Sequence, residues 1–216
     1  VLSAGGILCL RFLMEEHKKR VLQRAFGRYV APEVVARILS RGNDALVGEK
    51  REVTILFTDI RGFTTLSEKL APEQVVEILN RYFTPMTALI RQNQGTLDKF
   101  IGDALMAFWN APLDVPGHPA LAVDTALAVQ ENLIRLNDEL ERDFGVRLAM
   151  GAGLHVGDVF VGNMGSQDLL DYTIIGDNVN LTSRLEGLTG AYGVPVIVSG
   201  AVREACGDAF AFSLID

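Results

Sequence analysis

The sequence has 216 residues, of which 49% are hydrophobic, so it can bury one sizeable core and still carry extensions. Its formal net charge of −7 argues against a nucleic-acid binder, although a bound cation can still bring a phosphate-bearing substrate to an acidic protein. Two cysteines, Cys9 and Cys206, lie far apart, which excludes a disulfide framework and a zinc knuckle and is typical of a reducing compartment.

Residues 1–48 are predicted to form an N-terminal helix and a linker. Val1–Met14 is mostly apolar, and it is shorter than the roughly 20 residues that span a bilayer alone. The basic stretch that follows permits two interpretations: the end of a transmembrane helix that continues into the cytoplasm, or a signalling helix that pairs with its twin. Because the chain lacks an initial Met and ends directly after an apolar run, we expect a piece of a longer protein.

Residues 49–216 are predicted to form one compact domain, which opens with a buried strand over Val53–Phe57. A long helix over Pro72–Asn93 follows, with Pro85 as a potential kink. Next comes a hairpin whose two strands are joined by a Gly-Asp turn. The hairpin comprises Thr96–Ile101, Gly102-Asp103 and Ala104–Trp109.

A second long amphipathic helix is predicted over Ala120–Phe144, and further strands follow it. The dipeptide Gly157-Asp158 resembles the first turn, so it is predicted to separate two strands, Arg147–Val156 and Val159–Asn163. The remaining predictions are a loop at Gly165–Asp171, a helix at Asn178–Leu188, a strand at Val194–Val198, a helix at Val202–Cys206 and a strand at Phe210–Ile215. This order predicts an α+β fold with a ferredoxin-like βαββαβ core, helices on one face of an antiparallel sheet, and C-terminal additions.

Two carboxylates are predicted to meet at one end of this sheet. Asp59 ends the first strand and Asp103 lies in the hairpin turn, and the split βαβ order brings these two places together. Adjacent carboxylates repel, and a divalent cation relieves the repulsion. Oxygen ligands without His or Cys favour Mg²⁺ or Mn²⁺. Spacing alone leaves an alternative open, in which Asp103 is a turn residue and Asp59 caps a helix.

Three sequence blocks together resemble the class III nucleotide cyclase catalytic domain, from about Glu49 to the end of the chain. They are Phe57-Thr-Asp-Ile-Arg-Gly-Phe-Thr64, Lys99-Phe-Ile-Gly-Asp-Ala-Leu-Met-Ala-Phe108 and Tyr172-Thr-Ile-Ile-Gly-Asp-Asn-Val-Asn-Leu-Thr-Ser-Arg-Leu185. The upstream Phe26–Val35 is similar to the segment that precedes this domain in bacterial members. The resemblance implies a head-to-tail homodimer whose active sites lie at the interface.

The resemblance also implies two metal ions per site, Mg²⁺ or Mn²⁺, held by Asp59, Asp103 and the backbone carbonyl of Ile60. One ion would lower the pKa of the ribose 3′-hydroxyl, and the other would hold the triphosphate and neutralise the departing pyrophosphate. Gly62 and Phe63, in the loop after Asp59, are expected to contact the substrate. The product would be a 3′,5′-cyclic nucleotide.

Lys99 and Thr173 match the pair that selects the base in this family. Lys can donate to adenine N1, and the Thr hydroxyl can accept from the 6-amino group, so ATP is the predicted substrate and cyclic AMP the product. The commonest adenylate pair is Lys with Asp, and Thr173 departs from it. The Lys/Thr pair resembles a subgroup that includes bicarbonate-responsive cyclases, which makes bicarbonate sensitivity a hypothesis.

Asn180 and Arg184 lie four residues apart and share one helix face. In the family, the matching Asn orients the ribose and the matching Arg stabilises the transition state. Both would act on the site whose metals the other subunit holds. A triphosphate-binding Lys or Arg, which relatives place further downstream, would lie beyond Asp216. His155 is predicted to be a packed, hydrogen-bonded histidine.

The resulting hypothesis is an adenylate cyclase, the cytoplasmic output domain of a longer, membrane-anchored signalling protein. A guanylate cyclase is disfavoured by Lys99 and Thr173. A cyclase-like regulatory module without catalysis would be expected to lose a metal-binding Asp or the Asn/Arg pair. A two-metal phosphatase or palm-type polymerase is disfavoured by the block that contains Asn180 and Arg184.

Overall fold

The structure, a computed structural model, describes residues 48–166 and 170–215. The predicted N-terminal helix, the alternative of a membrane anchor and the segment Phe26–Val35 lie outside the described residues. Among the residues that are described, no helix is both long and apolar enough to cross a membrane. The described residues belong to one compact unit, Gly48–Asp216.

Six strands and five α-helices make up the described part of the chain. In order they are β1 (Glu49–Ile60), α1 (Phe63–Ser67), α2 (Pro72–Gln92), β2 (Thr96–Ile101), β3 (Ala104–Trp109), α3 (His118–Phe144), β4 (Met150–Gly165), β5 (Leu170–Ile175), α4 (Asp177–Tyr192), β6 (Val196–Val198) and α5 (Gly200–Cys206). A 3₁₀ turn, Gly207–Ala209, follows α5. The predicted hairpin is confirmed, and Gly102 has the positive φ of 65° that its tight turn requires.

The sheet has the strand order β2-β3-β1-β4-β5, and each neighbouring pair is antiparallel. The first four strands, with α2 and α3 as the two connections, have the ferredoxin-like order predicted from the sequence. β6 pairs in parallel with the first half of β4. The α+β prediction is therefore confirmed, and β5, α4, β6 and α5 are additions to that core.

Helices cover both faces of the sheet, which corrects the prediction of one covered face. Ala152 and Leu154 on β4 belong to the large core formed with α2 and α3. Side chains alternate along a strand, so a side chain at position 153 would point to the opposite face of the sheet. There a Cβ at Gly153 would lie 2.7 Å from the backbone oxygen of Thr182 and 2.8 Å from the Cα of Glu186, both on α4. The glycine therefore lets α4 pack directly on the strand.

The predicted turn at Gly157-Asp158 is wrong, because β4 is one continuous strand of 16 residues. Gly157 pairs with Val53 and Asp158 with Glu52, within an unbroken ladder between β4 and β1. Twelve residues of β1 supply a partner along this whole length, and that pairing outweighs the local turn preference. Gly157 is instead needed for space, since a Cβ there would lie 2.5 Å from the side-chain nitrogen of Asn178.

Two further predictions about the second half are wrong. Part of the predicted loop at Gly165–Asp171 and the residues after it form β5, which pairs with the end of β4 from Gly165↔Leu170 to Phe160↔Ile175. Phe210–Ile215 is not a strand, since no described strand pairs with it. Phe210 and Phe212 instead pack against the core as an irregular segment.

Pro85 lies inside the continuous helix α2, so no break occurs there.

Candidate active site

The carboxylates of Asp59 and Asp103 meet at the end of the sheet, as predicted. β1 pairs with β3 up to Thr58↔Leu105, which brings the last residues of β1 beside the hairpin turn. The two side chains are within hydrogen-bonding contact. Burial, followed by the charge of Asp103 and the hydrogen bond to it, raises the pKa of Asp59 to about 6, while the backbone N–H of Ile60 opposes the shift.

This pair of carboxylates is suited to a hard divalent cation. Burial and the neighbouring charge of Asp103 raise the pKa of Asp59, which shows that the pair lacks a counter-charge, and oxygen ligands favour Mg²⁺ or Mn²⁺. Over residues 48–166 and 170–215, no group of three or more His, Cys, Asp or Glu side chains is arranged to hold a metal. Further ligands would thus be a backbone carbonyl such as that of Ile60, water, or substrate oxygens.

Glu186 is a third carboxylate near this pair, and the sequence did not reveal it. Burial raises the pKa of Glu186, and the charges of Asp59 and Asp103 add to the shift, while Arg61 opposes it. Glu186 lies on the side of α4 that faces the sheet, where a Cβ at Gly151 would lie 2.5 Å from its Oε1 atom. Nothing in its local sequence distinguishes Glu186 from an ordinary helix residue, so only the packing of α4 places it here.

Arg61 ties the end of β1 to the end of α4. Its guanidinium donates hydrogen bonds to the carbonyl oxygens of Thr189 (3.0 Å) and Val194 (2.5 Å). A cation at a helix C-terminus is favourable because the last carbonyls lack partners in the helix. Arg61 therefore fixes the position of α4 relative to Asp59, two residues away.

Lys99 and Thr173 lie around one buried carboxylate, that of Asp98. The Thr173 hydroxyl donates a hydrogen bond of 2.6 Å to Asp98 Oδ2. Lys99 Nζ lies 3.5 Å from Asp98 Oδ1, and the Asp98 side chain is only 1% exposed. The two predicted base-selecting residues are thus brought together within one chain, and Asp98 is the residue between them that the sequence did not reveal.

The sheet must fold back on itself to bring Asp98 on β2 to Thr173 on β5, because β2 and β5 are its outer strands. Ile174 on β5 belongs to the same buried cluster as Met106 and Phe108 on β3. The rings of Tyr172 and Phe108 are 6.4 Å apart between centroids. The middle of β5 therefore packs on β3, and Thr173 reaches Asp98 on β2.

Asn180 and Arg184 lie on the outer face of α4. Both are exposed, whereas Thr182 and Thr189 on the opposite side of the helix are buried. Neither Asn180 nor Arg184 forms a hydrogen bond or an ion pair with another residue that the structure describes. A single chain therefore brings Asp59 to Asp103 and Lys99 to Thr173. Its Asn180 and Arg184 point outward.

His155 is hydrogen-bonded on both ring nitrogens, as predicted. Nδ1 lies 2.8 Å from Ser199 Oγ and Nε2 lies 3.0 Å from Asn178 Oδ1. Asn178 also donates to the Asp158 carbonyl oxygen at 2.8 Å. The network joins β4 to the first turn of α4 and to the residue before α5.

Gly62 and Phe63 form the junction between β1 and α1. Gly62 has φ of 67°, which allows the chain to turn directly after the strand. Phe63 is half-buried and packs against the large core. Their contact with substrate stays a prediction.

The sequence from residue 47 to residue 213 matches the family described as the adenylate and guanylate cyclase catalytic domain. The chain belongs to this family. Among curated proteins, the cyclase domain is similar to adenylate cyclase 1 of Rhizobium meliloti, with 38% identity over 87% of this chain and 28% of that protein. It is also similar to an adenylate cyclase of Anabaena cylindrica, with 35% identity over 89% of this chain and 39% of that protein.

Solved structures of both kinds of cyclase resemble this domain. The adenylyl cyclase CyaB from P. aeruginosa has a TM-score of 0.71 and 33% identity, over 76% of this chain and 84% of that one. The guanylyl cyclase Cya2 has a TM-score of 0.69 and 38% identity, over 74% of this chain and 81% of that one. Because both adenylyl and guanylyl cyclases resemble this domain, the overall similarity does not decide between adenine and guanine as the base of the substrate. The residues of the site must decide it.

The chain spans well under half the length of the two curated relatives described above.

Proposed function

We propose that the cyclase domain converts ATP to 3′,5′-cyclic AMP and pyrophosphate. The observation that supports this most directly is the arrangement of Lys99 and Thr173 around Asp98, which presents a donor beside an acceptor. The Lys99 ammonium can donate to adenine N1, and the Thr173 oxygen can accept from the 6-amino group. Guanine has a hydrogen on N1 and an acceptor at O6, so neither contact is matched.

Asp59 and Asp103 are proposed to hold two Mg²⁺ or Mn²⁺ ions, together with the carbonyl oxygen of Ile60. The half-buried carboxylates and the raised pKa of Asp59 support this role, because a cation would remove their repulsion. When bound, the ions would make the ribose 3′-hydroxyl more acidic and neutralise the triphosphate. Gly62 and Phe63, next to Asp59, are proposed to contact the substrate.

In the reaction, the 3′-oxygen forms a bond to the α-phosphorus, and the bond from that phosphorus to the β-phosphate oxygen breaks. The hydroxyl proton leaves to solvent and pyrophosphate departs. Arg184 is proposed to donate to the phosphate oxygens as their charge redistributes, and Asn180 to hold the ribose. The Arg guanidinium is suited to this because its planar donors can contact two oxygens at once.

Two copies of the chain are proposed to build each site. Asp59 and Asp103 lie near Glu186, on the sheet-facing side of α4, whereas Asn180 and Arg184 are exposed on the other side of the same helix. A second copy, placed head to tail, would supply the outward pair to the site of the first. The relatives are much longer than this chain, which supports a role as the output domain of a larger signalling protein.

The test is an assay with ATP and GTP as separate substrates, each with Mg²⁺ or Mn²⁺, and with the product identified by mass spectrometry. We expect 3′,5′-cyclic AMP and pyrophosphate in equal amounts from ATP, and at least tenfold less product from GTP. Absence of a cyclic product would contradict the proposal, and cyclic GMP as the main product would contradict the assignment of the base.

A further inference from the structure

Asp98 is a buried carboxylate without a part in the metal site. Its side chain is 1% exposed, and its described partners are the Thr173 hydroxyl and the Lys99 ammonium. Burial raises the pKa of Asp98, while the hydrogen bond from Thr173 and the charge of Lys99 oppose the shift. Burying a carboxylate is costly unless it is paired. Both groups that pair with it are those proposed to read the base.

An irregularity in the sheet gives Asp98 its position. The pairing of β2 with β3 shifts register between Leu97, opposite Ala107, and Lys99, opposite Met106. Asp98 is the extra residue of this bulge and has no partner across the ladder. In a regular strand, consecutive side chains point to opposite faces, and a bulge changes the direction of one of them. The bulge thus allows Asp98 and the adjacent Lys99 to form an ion pair.

We propose that Asp98 is a positioning residue that fixes the selection of adenine over guanine by accepting the hydrogen of the Thr173 hydroxyl. The proposal rests on the base-reading role of Lys99 and Thr173 given above, and it adds a residue that never touches the base.

A hydroxyl group has a single hydrogen, so it can donate to only one acceptor at a time. Without Asp98, the Thr173 hydroxyl can either donate to guanine O6 or accept from the adenine 6-amino group. With its hydrogen committed to Asp98 Oδ2 at 2.6 Å, it offers only lone pairs. Adenine then gains a hydrogen bond, whereas guanine O6 faces another acceptor. A buried acceptor that finds no donor is expensive, so this commitment rejects guanine.

Asp98 also acts on Lys99. The carboxylate holds the ammonium beside Thr173 through this ion pair, although the Lys99 side chain is 39% exposed and has room to turn into solvent. A charged ammonium has no lone pair and can only donate. It therefore suits adenine N1 and repels the N1 hydrogen of guanine. The effects of Asp98 on Thr173 and on Lys99 therefore both favour adenine.

The experiment is the substitution Asp98→Asn, which preserves shape and removes the charge. Its amide can donate to the Thr173 oxygen, which frees the hydroxyl hydrogen for guanine O6. We expect the ratio of kcat/KM for ATP over GTP to fall by about tenfold or more, through a loss with ATP and a gain with GTP. The matched control is Asp138→Asn, an exposed carboxylate on α3 away from Asp98, for which the ratio should stay unchanged.

A purely structural role for Asp98 would lower kcat/KM for both nucleotides alike and leave the ratio unchanged, which would overturn the proposal. The ratio of affinities for 3′-deoxy-ATP and 3′-deoxy-GTP, measured by calorimetry, does not depend on turnover, because both lack the attacking hydroxyl. If the wild-type chain forms no cyclic nucleotide, the proposed function fails, and this affinity ratio still decides the role of Asp98. An affinity ratio that Asp98→Asn leaves unchanged contradicts that role even in an active cyclase.

Discussion

At the scale of single residues, burial and the close approach of Asp103 make the proposed metal site at Asp59 sensitive to pH. The pKa of Asp59 is raised to about 6, so the side chain takes up a proton as the pH falls through that value. A cation must compete with this proton. We therefore expect the affinity for Mn²⁺ to rise about tenfold between pH 5 and pH 7 and then to level off, as measured by calorimetry.

Two variants make this measurement specific. Asp59→Asn should abolish the rise, because the group that titrates is gone, whereas Asp138→Asn on the surface of α3 should leave it intact. In the absence of metal, the stability of the fold has the opposite pH dependence: it decreases as the pH rises. An acid with a raised folded-state pKa contributes stability below its unfolded pKa and loses it as the pH rises through 6. A metal affinity that does not change between pH 5 and pH 7 would contradict the coupling.

The residues of the site differ in how far the sequence reveals them. Asp59 and Asp103 were predictable from the order of the elements along the chain. Asp59 lies at the end of β1, Asp103 lies in the turn between β2 and β3, and the βαββαβ order places β1 beside β3. Asp98 was not, because regular alternation would direct it away from Lys99, and only the bulge and the folding back of β5 give it partners. Glu186 was also missed, since its role depends on which face of the sheet α4 covers.

At the scale of elements, the contact of α4 with β4 depends on Gly153. A Cβ there would lie 2.7 Å from Thr182 O and 2.8 Å from the Cα of Glu186, and backbone atoms of a helix cannot turn aside as a flexible side chain can. We expect Gly153→Ala to lower the free energy of unfolding by about 1–3 kcal/mol, as overpacking does. Because α4 carries Asn180 and Arg184, turnover should fall as well.

A glycine within α4 provides the control. A Cβ at Gly190 would meet nothing within 4 Å, and the residue is exposed. Gly190→Ala should therefore raise the free energy of unfolding by about 0.5–1 kcal/mol, because alanine loses less entropy in a helix. Chemical denaturation of the two variants beside the wild type measures both changes. Equal stability of Gly153→Ala and wild type would show that the helix can move away without cost.

Strand β4 also shows where local sequence signals are misleading. Gly157-Asp158 has the residues of a tight turn, as does Gly102-Asp103, yet only the second dipeptide turns the chain. The difference lies in the neighbours, because β1 pairs along the full length of β4. A glycine can mark a turn or a close approach, and sequence alone does not separate the two uses.

At the scale of the whole molecule, the proposed active site is divided between two copies. Large apolar side chains are exposed on the β4–β5 pair and on α4: Phe160 at 45% faces Ile175 at 59% across the ladder, and Leu181 at 39% is next to Asn180 on α4. Exposed apolar groups that lie near functional residues are typical of a surface that a partner covers. We propose that a second copy, placed head to tail, covers α4 and brings its Asp59 and Asp103 to the outward Asn180 and Arg184.

This division predicts complementation between two inactive variants. Asp59→Ala should abolish metal-dependent turnover. Arg184→Ala should lower kcat by about 100-fold or more with little change in nucleotide affinity, because its proposed contact with the phosphate oxygens strengthens in the transition state. In a head-to-tail heterodimer of the two variants, one site carries both substitutions and the other carries neither. Random mixing in equal amounts gives half heterodimers, so about a quarter of the wild-type activity should return.

The matched control is a mixture of Asp59→Ala with Asp103→Ala. Both substitutions affect the same half of the site, so each site of their heterodimer lacks one carboxylate and activity should stay low. Subunit exchange is verified by tagging one variant and recovering the heterodimer, and cyclic AMP formation is measured before and after mixing. Recovery in both mixtures, or in neither, would contradict a site shared between Asp59 of one copy and Arg184 of the other. Recovery in the first alone would show that each site takes residues from two chains.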